Sequence, residues 1–133
     1  MKTYNVVVVG AGASGLIASG RAAQNGKRVL LVEKMSQAGR KLHITGKGRC
    51  NITNSNSISE HLKHIHANPR FLKYAYSQFF NTDIINLLNE NGVETVVERG
   101  NRVFPVSQKS ADVVNALLKW NRNNNVEILY NCS

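Results

Sequence analysis

Only two cysteines, Cys50 and Cys132, occur among 133 residues. They stand far apart, which excludes a disulfide framework and suits a reducing compartment. Acidic residues are also scarce, eight against seventeen lysines and arginines, leaving a formal charge of +9. Such an excess raises nucleic acid as a partner. Its distribution points away from one: Lys34, Arg40, Lys41, Lys47 and Arg49 gather in one segment, the rest are scattered, and no expected helix carries a continuous basic stripe. No apolar run approaches the ~20 residues of a membrane span. Val6-Val7-Val8-Val9 is too short for the core of a secretory signal and runs straight into glycines. The expectation is a soluble cytoplasmic protein with neither a nucleic-acid nor a membrane partner. Metal ligands are wanting too. His61, His64 and His66 form a cluster, but His66 departs from the face the other two share and no cysteine or carboxylate completes a set, so no metal is expected. There is no internal repeat, and the seventeen asparagines sit among well-patterned elements as a compositional bias.

What is present is a strong local pattern. Tyr4 to Val9 is dominated by β-branched residues and reads as a fully buried parallel strand, broken by Gly10. Ser14 to Asn25 has helical spacing with Gly26 to stop it, and Arg28 to Glu33 is a second buried strand. Strand, glycine turn, helix and strand in this order predict a crossover between parallel strands. Lys34 to Ser57 lacks periodicity and reads as a long functional loop. Helices are expected over Ser59 to His66, over Pro69 to Phe80, and from an N-cap at Thr82 to about Asn91. Phe71, Tyr74, Tyr76, Phe79 and Phe80 have the spacing of a helix packed into a core. Glu94 to Glu98 and Arg102 to Phe104 flank a Gly-Asn turn and predict a hairpin. Ser110 is placed to cap a helix through Trp120, and Val126 to Tyr130 is a last strand of the parallel sheet.

Gly10-Ala11-Gly12-Ala13-Ser14-Gly15 is GxGxxG. Gly10 permits the tight exit from the strand, Gly12 lets a pyrophosphate approach the backbone, and Gly15 lets helix and sheet pack closely. The pyrophosphate then sits on free N–H groups at the positive end of a helix dipole. Glu33 ends the second strand, where a carboxylate accepts ribose hydroxyls and repels a 2′-phosphate, so FAD or NAD fits better than NADP. A Walker-type phosphate loop is excluded, because Gly46-Lys47 would need glycine at 41 and serine or threonine at 48, and the chain has Lys41 and Gly48.

Gly39-Arg40-Lys41-Leu42-His43-Ile44-Thr45-Gly46-Lys47-Gly48-Arg49-Cys50-Asn51-Ile52-Thr53-Asn54 is more distinctive still. It resembles the signature of the BaiN/YhiN-type flavoproteins, the aminoacetone-oxidase-like family of NAD(P)/FAD-dependent oxidoreductases. Arg102-Val103-Phe104-Pro105, with Ser107, Lys109 and Asp112-Val113-Val114, is similar to a second stretch of that family. The resemblance covers the chain but only the N-terminal portion of the family pattern. It implies an α/β fold: the first half of a Rossmann-like, doubly wound FAD-binding domain of the glutathione-reductase type, with a helical excursion and a small β-hairpin. It further implies that residues 1–133 are part of one FAD domain, whose remainder and substrate domain lie outside them, so the chain alone is expected to be inactive.

By the same resemblance, Gly10, Ala11, Gly12, Ala13, Ser14 and Gly15 hold the pyrophosphate, and Glu33 and Lys34 face the adenosine. Arg40 and Lys41 lie along the phosphates or ribityl chain, and Gly39 before them is also a cofactor-binding residue. Thr45, Gly46, Arg49, Cys50 and Asn51 belong to a stretch approaching the isoalloxazine. Cys50, with no CxxC partner, is a packed or flavin-adjacent thiol rather than half of a catalytic disulfide. The cofactor implied is FAD, with NAD(P)H a candidate electron donor to the complete enzyme and a small molecule of unknown identity as substrate. Two other readings keep the glycine turn: an NAD-binding dehydrogenase domain, and a non-catalytic nucleotide-binding module.

Overall fold

Residues 2–132 are described by a computed structural model. The chain runs β1 (Val6–Val9), α1 (Ala13–Gln24), β2 (Val29–Val32), α2 (Arg40–Ile44) and β3 (Thr53–Asn54). It continues through α3 (Ile58–Lys63), α4 (Arg70–Gln78), α5 (Asn81–Glu90), β4 (Thr95–Glu98), β5 (Arg102–Pro105), α6 (Ser110–Asn123) and β6 (Glu127–Leu129). Two sheets result. β1, β2 and β6 form a parallel sheet in that order, with Val6 opposite Val29 and Leu30 opposite Glu127. β3, β5 and β4 form an antiparallel sheet in that order. The Rossmann-type parallel sheet and the β4–β5 hairpin are those expected. β6 takes its place beside β2, which puts β1 at one edge of the parallel sheet among the described residues.

α1 and α6 are locked together and to that sheet by small-to-large packing. A Cβ at Gly20 would overlap the Trp120 ring, so only glycine lets the indole lie on α1. Beside it, the buried Ser19 hydroxyl donates to Asn121 Oδ1 (2.6 Å), and Asn121 Nδ2 donates to the carbonyls of Leu16 and Leu117, both at 2.9 Å. A fully satisfied buried polar group fixes register where apolar contacts alone would permit sliding. Leu16, Leu31, Leu88, Leu117, Trp120 and their neighbours form the core, each large side chain contributing about 1.5–3 kcal/mol on burial.

Several elements differ from the expectations. β1 is not buried on both faces: Val7 is 55% exposed and Val9 85%, because helices cover only the side that Val6 and Val8 face. The stretch expected as loop contains α2, a helix of five residues, too short to show a period, and β3, whose two residues add a third strand to the hairpin. Ser110 is the first residue of α6 rather than its cap, and its hydroxyl donates to the His43 carbonyl (3.0 Å). α5 begins at Asn81, not after Thr82; the Asp83 carboxylate accepts from the Phe80 N–H (2.7 Å).

The aromatic cluster divides. Tyr76 and Phe80 pack with His61, whose ring meets Phe80 edge-on at 4.8 Å and is half-buried there. Phe71 and Tyr74 do not enter the core. They are 80% and 76% exposed, since α4 buries none of its residues and turns this side to solvent.

Candidate functional site

The glycine turn is held by its surroundings rather than by its own side chains. Gly10 N–H donates to the Val32 carbonyl (2.7 Å), and the Ala11 carbonyl accepts from Gly39 N–H (2.8 Å). Ala11 N–H donates to Glu33 Oε2 (2.7 Å), and Glu33 Oε1 accepts from Met35 N–H (2.8 Å). Glu33 therefore clamps the end of β2 to the turn after β1. Sequence reasoning places Glu33 at the ribose and misses this second task, because the partner is a backbone group 22 residues away. Each carboxylate oxygen retains a lone pair for a further donor.

The three glycines of the motif do different work. Gly10 has φ of +94°, a conformation open to glycine. Gly15 faces the Gly10 carbonyl, which a Cβ would overlap. Gly12 is neither strained nor crowded: its φ is −80°, and a Cβ there would meet nothing within 4 Å. Protein packing does not require glycine at 12; the open space in front of it does. That space is a cleft of about 900 Å³ at the N-terminus of α1. Among the described residues no side chain caps this helix, and its first N–H groups have no intrahelical acceptor, so they face the cleft ready for an anion.

Of the residues singled out from sequence, Gly12, Ala13, Ser14, Glu33, Gly39, Arg40, Lys41 and Thr45 line this cleft together. Gly10, Ala11 and Gly15 build the turn behind it. Arg40 and Lys41, both exposed, line the cleft with Glu33, so cations outnumber the carboxylate in this lining. Met35, Gln37, Leu42 and Ile44 also line it and were missed, since α2 and the bend before it carry no periodic signal. Lys34 lies outside the lining.

Gly46, Arg49, Cys50 and Asn51 are placed elsewhere. Gly46, with φ of +56°, packs against the Asn51 backbone and the Phe104 ring. The Arg49 guanidinium donates to Glu98 (3.1 Å) and Gln108 (2.9 Å) and lies 4.1 Å from the Phe104 ring centre. It ties the loop to the hairpin. Cys50 is buried with φ of +61°, and burial pushes its thiol pKa up, which disfavours the reactive thiolate. It borders a second, apolar cavity of about 520 Å³, which shares Ala13, Ser14 and Leu42 with the cleft.

The hydrogen bonds from Met35 and Ala11 hold the Glu33 carboxyl below the usual carboxylate range. A depressed folded-state value stabilises the fold above the ordinary glutamate pKa of about 4.3 and ceases to do so as pH falls through the folded value. Thermal unfolding followed from about pH 6 to pH 3 should therefore show a steeper acid loss in the unaltered chain than in Glu33→Ala. Parallel curves would mean that the clamp contributes nothing.

The model of the HI0933-like protein Rossmann domain matches residues 4–133. Ribosomal RNA dihydrouridine synthase of Escherichia coli (strain K12) is 39% identical over 93 residues, 70% of this chain and 23% of that protein. The 3-dehydro-bile acid delta(4,6)-reductase of Clostridium scindens is 30% identical over 123 residues, 91% of this chain and 29% of that protein. The chain thus spans about a quarter of the length of these curated relatives. Among solved structures, 3-ketosteroid-delta4-(5alpha)-dehydrogenase of Rhodococcus jostii RHA1 superposes over 96% of this chain and 38% of that one, with a TM-score of 0.66 and 17% identity, a likeness of fold.

Proposed function

Because this chain belongs to the HI0933-like family, whose Rossmann-domain model matches residues 4–133, we propose that it binds the ADP half of FAD within a flavin-dependent reductase. The observation that carries the reading is Gly12: an unstrained, uncrowded glycine facing an open cleft at an uncapped helix N-terminus. The donor set fits the group. Helix N–H groups and the Arg40 and Lys41 cations suit a pyrophosphate, and Glu33 suits a ribose without a 2′-phosphate. FAD, when bound, supplies hydride chemistry. The chain's own residues bind and orient its nucleotide end. The open face of β1, where Val7 and Val9 meet solvent, supports a role within a larger assembly, and the chain alone is inactive in this reading. NAD(P)H is the electron donor to the complete enzyme.

Reduction of a carbon–carbon double bond is the chemistry shared by a dihydrouridine synthase and a delta(4,6)-reductase, and it is the reaction proposed for the complete protein. For substrate, RNA is favoured over a steroid-like small molecule by the higher identity to the dihydrouridine synthase and by the charge of +9. This departs from the expectation of no nucleic-acid partner, which rested on the linear spacing of basic residues. The steroid-like alternative rests on the 520 Å³ apolar cavity.

Titration of the chain with FAD, ADP and NAD, read by flavin fluorescence and calorimetry, tests the site. Saturable FAD and ADP binding, each weakened about tenfold in Glu33→Ala by the loss of a charge-assisted hydrogen bond, is expected. Binding of NAD with no uptake of FAD would replace the flavin reading by a dehydrogenase.

A further inference from the structure

We propose that the exposed face of α4 is a stacking platform for single-stranded RNA, a site that rests on the RNA reading above and lies outside the dinucleotide cleft. α4 is a helix of nine residues that buries none of them. The aromatic rings of Phe71 and Tyr74 are exposed, three residues apart and so on one face, while Leu72 and Tyr76 on the other side are half-buried. Large rings left in water on one face of a helix whose opposite face is half-buried mark a surface available to a partner.

The charge along this segment has one sign. Arg70 and Lys73 each precede one of the two rings, and His64 and His66 are exposed nearby in sequence. From His61 to Phe80 there is no aspartate or glutamate. Glu60, just outside, is already paired with Lys63. Exposed rings interleaved with cations match what a single strand presents, since bases stack on the rings and phosphates meet the cations. An apolar protein partner would account for the rings but leaves the cations unanswered; a phosphate backbone answers both. The inner side of the same excursion, through Tyr76 and Phe80, borders the cavity that Ala13 and Ser14 also line. RNA held on α4 is thereby attached to the element that adjoins the nucleotide-binding helix.

The test is fluorescence anisotropy of a labelled, uridine-rich single-stranded RNA of about 20 nucleotides, titrated with the chain at several salt concentrations. Phe71→Ala with Tyr74→Ala should weaken binding by at least about tenfold at unchanged melting temperature, because neither ring supports the core. Exchanging the rings, Phe71→Tyr with Tyr74→Phe, should preserve affinity. Arg70→Gln with Lys73→Gln should weaken binding and lower the slope of affinity against salt by about 1.4. Equal RNA affinity in the ring-deleted and unaltered chains would overturn the platform and leave the RNA reading standing. No RNA binding by the unaltered chain at low salt would overturn both. Binding of anionic-lipid vesicles, or self-association, that is lost with the rings while RNA affinity stays unchanged would assign the face to that partner instead.

Discussion

Replacing Gly12 with valine is expected to abolish FAD and ADP binding, a loss of at least about 100-fold, with the fold left intact. The backbone there, at φ −80° and ψ −171°, is one that valine adopts readily, and beyond its chain neighbours no described atom lies within 4 Å of the added Cβ. The isopropyl group instead enters the cleft at the first turn of α1, where it shields the free N–H groups and occupies the volume a pyrophosphate needs. Thermal unfolding should be unchanged, which separates loss of the site from loss of the protein. Unaltered FAD affinity in this variant would remove the pyrophosphate from the glycine turn altogether.

Gly15→Ala should do the opposite, three residues away. Here the added methyl meets the Gly10 carbonyl, a backbone group that cannot rotate aside and that belongs to the tight exit from β1. Relief requires α1 to lift from the sheet, which breaks the packing of Leu16 and the Ser19–Asn121 bridge beyond it. A cost above about 3 kcal/mol is expected, a large part of the ~5–15 kcal/mol that holds a domain together. The midpoint of unfolding by circular dichroism should fall by at least about 10 °C. A midpoint within about 2 °C of the unaltered chain would show that helix and turn are not in the contact described.

The pair explains how far the sequence could be read. GxGxxG after a β-branched run, with an acid ending the next strand, is a local signal, and Gly12, Gly15 and Glu33 all stand where it places them. What escaped depends on partners distant in the chain. Arg49 meets Glu98 and Gln108, 49 and 59 residues on, so nothing local distinguishes a guanidinium held by the hairpin from one free to meet a cofactor. α2 follows a glycine at φ +68° and lasts five residues, too few for an apolar face to declare itself. A run of valines shows that β1 is apolar but not which of its faces is covered. Likewise the spacing of Phe71, Tyr74 and Tyr76 shows an amphipathic helix, while its orientation is decided by Phe80 and His61.

β1 leads into the glycine turn proposed to hold the pyrophosphate, yet among the described residues it has a hydrogen-bonded neighbour only on its β2 side. Half of its backbone donors and acceptors therefore face away from the sheet, and their exchange with solvent reports directly on how firmly the turn is held. A strand joining that edge would steady Gly10 and Ala11, and thus hold the N–H groups of the next helix in place for an anion. Linkage makes the effect mutual: if closing the edge tightens the hold on the dinucleotide by some factor, the dinucleotide must tighten the closure of the edge by the same factor. Cofactor loading and completion of the sheet are then two readings of one equilibrium, and slowed amide exchange along Val6–Val9 on adding ADP would be its signature.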